Sequence, residues 1–257
     1  MNTLVFDIET VPDTELGRRL YGLEGLTDEQ VGRIMFTQRF KQAGTEFLPH
    51  EQHRVIAISV VMRSRETLKV WSLGDEGSSE KDLIERFFDG LERYTPDLVS
   101  WNGAGFDLPV LHYRSLLHGI TAARYWETGD GDASFRYSNY LSRFHWRHMD
   151  LMDILSGFQA RGRASLANIA CLLRLPGKLG MDGSQVWETF LQGGIRRIRD
   201  YCETDVLNTY LVYLRFELLR GRLSPAEHAG EIVRVRQLLA ESPTEHFKEF
   251  AAAWPES

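Results

Sequence analysis

Two cysteines in 257 residues, Cys171 and Cys202, are too few for a disulfide scaffold or a multi-cysteine zinc site. Both fall in apolar helical patterns and are expected to be buried thiols in a reducing compartment, so the expected location is cytoplasmic. No run approaches the roughly 18 apolar residues of a transmembrane helix. A signal peptide is not expected either, because Asp7 and Glu9 interrupt the apolar N-terminal stretch and no basic segment precedes it. Positive charge is in deficit as well: 30 Lys and Arg stand against 36 Asp and Glu, a formal net charge of −6. That disfavours broad, non-specific coating of duplex nucleic acid. It does not exclude a local nucleic-acid site, because bound cations reverse the sign of a carboxylate cluster.

The signatures of common enzyme classes are also missing. Asn102-Gly103-Ala104-Gly105 has two glycines of a dinucleotide fingerprint and lacks the third. Gly177-Lys178 has neither the upstream glycine nor the following Ser or Thr of a phosphate-binding loop. His50 and His53 are at the wrong spacing for a helical zinc pair, and no Gly-x-Ser-x-Gly elbow occurs.

What remains is an ordinary globular composition, 43% hydrophobic and 26% charged. A chain of this length buries roughly 70–75% of its unfolded surface and needs no staple. Leu4-Val5-Phe6 opens a strand that ends at Pro12, and residues 13–53 form a polar, partly helical insertion with a helix start after Thr27. β-Branched Arg54 to Met62 and alternating Leu68 to Leu73 predict the next two strands. Ser79 caps a helix, Leu98–Trp101 is a fourth strand, and Leu108–His118 a second helix. Residues 121–147 read as a long loop and His148–Leu155 as a strand running into a turn. Ser165 caps the helix Leu166–Leu173, residues 184–220 are helical with a break at Gly193-Gly194, and Ala226–Ala240 is a last helix before a polar tail. The order predicts one mixed sheet with helices packed on it.

Carboxylates stand out at strand ends. Asp7 and Glu9, at i and i+2, share one face of an apolar strand. Such a pair is either a strand-end surface feature or a ligand set for a hard divalent cation. Asp107 follows Asn102 and Phe106 at the end of another strand; alone, it reads as a helix N-cap or as a further ligand. Tyr201 and Asp205, four apart, share one helix face.

Asp7-Ile8-Glu9-Thr10, Asn102-Gly103-Ala104-Gly105-Phe106-Asp107 and Tyr201-Cys202-Glu203-Thr204-Asp205 together resemble, in order, the three exonuclease motifs of the DEDD superfamily. The tyrosine four before the last aspartate resembles the DEDDy branch; Asp200 stands where the sister branch carries histidine. The resemblance is closest to a bacterial family of predicted 3′-5′ exonucleases related to the proofreading domain of family-B DNA polymerases. His148 to Asp153, Leu175 to Lys178 and Asp182 to Val186 also look like segments of that family, and the match covers about residues 1–216.

The resemblance implies an α/β, ribonuclease-H-like fold: a mixed central sheet flanked by helices over residues 1–216, with residues 217–257 a helical C-terminal extension packed on the same domain. It implies two divalent ions, Mg²⁺ or Mn²⁺, held by Asp7, Glu9, Asp107 and Asp205, with Tyr201 orienting the attacking water. Thr10 (through its backbone), Asn102 and Phe106 would contact the substrate strand. Arg161, Arg163 and Lys178 are candidate phosphate holders. The cation-aromatic stretch from Phe135 to His148 is either a single-strand track or a loop that packs its aromatics inward, and the Arg196-Arg197-Ile198-Arg199 run either a solvated helix face or a phosphate guide. Asp150 and Asp153 either support the metal site or cap a helix. The implied partner is a single-stranded 3′ end, DNA favoured over RNA, with no membrane. The alternatives are an exoribonuclease of the same superfamily and a non-catalytic nucleic-acid-binding module. No segment able to hold a polymerase palm or fingers follows, so proofreading is expected to be in trans, or the enzyme to act in repair or turnover. Oligomeric state is unreadable.

Overall fold

The computed structural model describes residues 2–144 and 146–255, which leaves His145 of the 135–148 stretch outside the described residues. Among these, β1 (Thr3–Pro12), β2 (His53–Arg63), β3 (Leu68–Ser72), β4 (Asp97–Ser100) and β5 (His148–Asp150) form one sheet in the order β3-β2-β1-β4-β5. β1 and β3 run antiparallel to β2, whereas β4 is parallel to β1 and β5 to β4. The long first strand is therefore central.

The predicted insertion after β1 holds α1 (Thr14–Tyr21) and α2 (Asp28–Ala43). Thr27 caps α2 reciprocally with Gln30, as Ser79 does with Asp82 for α3 (Glu80–Tyr94). α4 (Asp107–His118) follows β4, and the short α5 (Ala123–Trp126) is the one α-helical turn among the described residues of the 121–147 loop. α6 (Leu151–Leu155) and α7 (Leu166–Leu172) lead to α8 (Val186–Leu191), and Gly193 at φ 77° separates that helix from the 25-residue α9 (Ile195–Leu219). α10 (Pro225–Glu241) carries proline in its first turn behind a Ser224–Glu227 capping box. No helix among the described residues is long and apolar enough to cross a membrane.

Four sequence expectations need correction. The strand at His148 stops after three residues, because the Asp150 carboxylate accepts the backbone N–H groups of Met152 and Asp153 and starts α6. The expected polar tail contains α11 (Glu245–Ala253), which buries Phe247 and Phe250. Asp107 is the first helical residue of α4 rather than its N-cap; Phe106 holds the cap position with no side-chain cap bond. Cys171 is exposed, and only Cys202 of the two thiols is buried.

Strand alternation divides β1 between two cores. Leu4, Phe6 and Ile8 pack with Phe87, Leu91, Leu108 and Leu111 of α3 and α4. Val5 packs on the opposite side with Val206, Leu207 and Tyr210 of α9, in a core that α10 and α11 join through Val235, Leu239 and Phe250. Val11 meets Ile198 and Tyr201 on that same side. Asp7 and Glu9 fall between Val5 and Val11 in this alternation, so both carboxylates face α9. The β1–β2 register slips after Glu9: Glu9 pairs with Ala57 and Thr10 with Val55, leaving Ile56 as the extra residue on β2. The bulge sits on the partner strand, so the alternation of β1 runs unbroken.

A buried ion cluster fixes α4 against β1. The Arg114 guanidinium donates through Nε (2.8 Å) and Nη2 (2.6 Å) to Glu80 and through Nη1 to Asp13, just beyond the end of β1. Side chains of all three are at most 9% exposed. Arg114→Ala is expected to destabilise the fold by about 3–5 kcal/mol, because it strands two buried carboxylates; urea denaturation followed by circular dichroism measures the loss.

Candidate active site

Asp7 and Glu9 meet α9 across the sheet face. Tyr201, Cys202 and Asp205 are buried on that helix, and the Cys202 thiol donates toward the Asp7 carbonyl (3.5 Å) and lies 3.7 Å from Asp7 Oδ2.

Asp107 reaches the same place from the sheet edge. β4 pairs with β1 only over Thr3–Val5, so beyond that point β1 has no strand partner on that side. The chain turns after Ser100 through Asn102, held in the left-handed region at φ 67°. Gly103 follows because a Cβ there would stand 2.3 Å from Ser100 Oγ. The turn returns Asp107 so that its Oδ1 accepts the Ile8 N–H at 3.2 Å. A carboxylate thus takes the hydrogen bond that a longer β4 would have taken, between Asp7 and Glu9.

Asp150 holds this turn in place. Its Oδ1 accepts the N–H of Asn102 (3.0 Å) and its Oδ2 that of Ala104 (3.0 Å), while Oδ1 also caps α6. Of the two roles left open for Asp150 by the sequence, the helix cap is filled, and the same carboxylate also holds the turn that precedes Asp107. Asp153 instead pairs with Arg143 (3.2 Å) and Arg163 (2.6 Å). His148 is a satisfied structural histidine, bonded to Ser100 Oγ at 2.8 Å and held neutral by burial, which pushes its pKa down to about 4.

The four acids repel one another. Burial raises Asp7 well above the ordinary carboxylate range, and the charges of Asp107, Glu9 and Asp205 raise it further. Glu9 is raised in the same way, by burial and then by Asp205 and Asp107. Burial lifts Asp107 to about 7 and also raises Asp205. Burial and the adjacent Asp205 and Glu9 push the Tyr201 hydroxyl far above the usual phenol range, so it stays protonated. Lys178 opposes the repulsion: its Nζ lies 5.5 Å from the Tyr201 ring centroid, and its charge favours ionised Glu9 and Asp205.

Asp205 Oδ1 is buried and accepts no hydrogen bond from the described residues. A buried anionic oxygen without a donor is costly unless a cation meets it. Clustered carboxylates with an unpartnered oxygen are the donor set that hard divalent cations take, so the residues present fit Mg²⁺ or Mn²⁺.

The expected substrate residues divide. The Thr10 hydroxyl is engaged, 2.8 Å from His53 Nδ1; His53 Nε2–H donates to the Leu48 carbonyl (3.1 Å), so Nδ1 is the acceptor and Thr10 donates. Burial holds His53 neutral, its pKa pushed down to about 4. Phe106 is ringed by Phe47, His53 and His50 at centroid distances of 5.2, 5.1 and 5.9 Å. Thr10 and Phe106 line a cavity of about 590 Å³ that runs from Glu9 under α2 to Trp187 and Leu191 of α8. Asn102 sits back in the turn, outside that cavity wall. The contributions of Phe47, His50 and His53 were not legible in advance, because the segment that enters β2 brings them to Phe106 only through tertiary packing.

Among the candidate cations, Arg163 is bound to Asp153, and Arg161 is exposed. Arg199 is neither a solvated residue nor a phosphate guide: it is buried and donates to the carbonyls of Ser72, Leu73, Gly74 and Asp75. Arg196 pairs with Asp200 on the surface. In the 135–148 stretch, Phe135 and Tyr140 are buried, and Arg147 lies over the Phe135 ring at 4.2 Å; Tyr137 and Phe144 are exposed.

A family model described as predicted 3′-5′ exonuclease related to the exonuclease domain of PolB matches residues 45–254. The matched segment contains Asp107, Tyr201 and Asp205; Asp7 and Glu9 precede it. The catalytic chain of DNA polymerase epsilon from Saccharomyces cerevisiae is 22% identical over 147 residues, 54% of this chain and 6% of that protein. The family B DNA polymerase of the archaeon Pyrobaculum calidifontis superposes with a TM-score of 0.51 at 19% identity, over 85% of this chain and 24% of that one. The chain thus spans a small part of either polymerase. The fold is ribonuclease-H-like, a mixed five-stranded sheet with flanking helices, as the sequence resemblance implies.

Two outcomes follow from the electrostatics and the turn. Folded Asp107 keeps its proton to about 7, against an ordinary 3.8, so the folded state binds the extra proton. Its contribution to stability is full below pH 3.8 and is lost as pH rises through 7. In EDTA, Asp107→Asn is expected to flatten this part of the melting-temperature profile, and Asp205→Asn to melt higher than wild type at pH 8. Asp150→Asn replaces one of the two acceptor oxygens with an amide NH2, which faces a backbone N–H of the 102–104 turn; a loss of about 1–3 kcal/mol and a smaller Mn²⁺-induced rise in melting temperature are expected, both read by calorimetry.

Proposed function

The chain belongs to the family of predicted 3′-5′ exonucleases related to the exonuclease domain of PolB, and we propose that it hydrolyses single-stranded DNA or 3′ overhangs from the 3′ end at the Asp7–Glu9–Asp107–Asp205 cluster, with the tyrosine arrangement of the DEDDy branch. The observation that carries this is the convergence of four acids from β1, α4 and α9, one with a buried oxygen left unpartnered, beside a protonated tyrosine.

Asp7, Glu9, Asp107 and Asp205 would hold two divalent cations. Bound cations supply positive charge to the phosphate and lower the pKa of water at the site. Asp107 is oriented for its share by the Ile8 N–H, and Asp150 keeps the turn that delivers it. Tyr201 donates rather than accepts, because a phenol with so raised a pKa cannot take up a proton at neutral pH. Its role is to hold the attacking water in line, and Lys178 behind its ring keeps the ring in place and adds charge toward the phosphate.

The cavity beside Glu9 receives unpaired bases. Its aromatic wall, with Phe36, Phe47, Phe106 and Trp187, offers faces on which any base stacks. Glu29 at the same cavity is paired with Arg33, while Glu46 and Glu188 add negative charge, so bases enter and the backbone stays outside. A duplex end must fray to reach the acids. The Thr10 O–H is donated to His53, so a substrate strand meets that oxygen only as an acceptor; DNA is taken as the substrate, and the terminal 2′-hydroxyl is the group the assay discriminates.

The test is release of mononucleotides from matched single-stranded DNA, RNA and duplex substrates in Mg²⁺ or Mn²⁺. Asp7→Ala is expected to lose at least about 100-fold in rate, and Tyr201→Phe about 100-fold through misplacement of the water. Undiminished hydrolysis by purified Asp7→Ala would assign the activity elsewhere.

A further inference from the structure

The acid cluster is a set of hard oxygen donors with one soft atom beside it. Cys202 Sγ lies 3.7 Å from Asp7 Oδ2, and the ligand atoms of Asp7, Glu9 and Cys202 all fall within 4.8 Å of one another. A tetrahedral zinc ion, with bonds of about 2.3 Å to sulfur and 2.0–2.2 Å to oxygen, spaces those two ligands about 3.5 Å apart. The thiol and carboxylate already stand near that separation. A second observation points the same way. Asp205, one helical turn after Cys202 on α9, is only 7% exposed and its Oδ1 has no partner among the described residues. A buried carboxylate oxygen in need of a cation thus stands next to the three-ligand group.

Resting on Asp7 and Glu9 as cation ligands, we propose that Asp7, Glu9 and Cys202 form a site for a thiolate-seeking divalent cation of the zinc and cadmium class that holds the nuclease inactive. Mg²⁺ requires near-octahedral oxygen ligands and gains nothing from sulfur, whereas zinc takes sulfur and oxygen together in a tetrahedron. Coordination replaces the S–H bond with a metal–sulfur bond and releases one proton to solvent, with no change in oxidation state. Asp7 and Glu9, once drawn onto the tetrahedral ion, no longer serve the hard ions. Mg²⁺-dependent hydrolysis then stops until the soft ion is removed.

Cobalt(II) is the coloured probe for this site. Titration of the full chain with Co²⁺ is expected to give thiolate-to-cobalt charge-transfer absorption in the near ultraviolet. The band persists in Cys171→Ser, whose thiol is exposed on α7, and disappears in both Cys202→Ser and Cys202→Ala. The Zn²⁺ concentration that halves 3′-end hydrolysis, taken relative to each protein's own zinc-free rate, rises about 10–100-fold in the Cys202 variants. Absence of the band in the wild type, or its survival in both Cys202 variants, overturns the proposal. The band reports the metal–sulfur bond whether or not the chain cuts nucleic acid. A Cys202-dependent band without hydrolysis therefore supports this site and removes the nuclease function, and hydrolysis without the band does the reverse.

Discussion

Mutual repulsion among buried carboxylates is the constraint around which this molecule is arranged. Burial raises the proton affinity of Asp7, Glu9, Asp107 and Asp205, and the charges of Asp107 and Asp205 raise Asp7 and Glu9 further. A fold that brings such groups together must hold them by force from outside the cluster. The force comes from two apolar cores, one on each side of β1, and from the Arg114–Glu80–Asp13 ion cluster that ties α4 to the end of the strand. Packing energy is thus spent to keep anions close. Cations, in return, find their ligands already assembled.

The geometry depends on simple local rules. Alternation along β1 aims Asp7 and Glu9 at α9 because Val5 and Val11 are packed there. The early end of β4 leaves one side of β1 open, and Asp107 closes it through the Ile8 N–H. Asp150 in turn holds the backbone between β4 and α4, so a residue outside the cluster determines where one of its members stands.

Most of the framework was legible in the sequence, since its signals are local. Thr27, Ser79 and Ser165 start helices where capping residues predict them, and the β-branched run at residue 54 is the central partner of β1. The acids were legible because i, i+2 on a strand and i, i+4 on a helix fix which side chains share a face. What could not be read depends on tertiary contacts. Phe47, His50 and His53, from the segment that enters β2, gather around Phe106. Arg199 looks like one charge of a basic run, yet carbonyls from four consecutive residues bury it. The C-terminal segment has too few apolar residues to announce a helix, but Phe247 and Phe250 suffice once α9 and α10 offer a groove. Asp107 resembles a cap but stands one residue too late, at the first helical position, and its side chain turns to the open edge of β1.

The contact between Asp7 and Cys202 spans 195 residues of sequence. The first strand therefore waits for a helix made much later before its carboxylates have anything to face. Long-range closure of this kind is slow to form. The wide separation of the acids along the chain thus leaves the cluster incomplete until α9 has docked on β1.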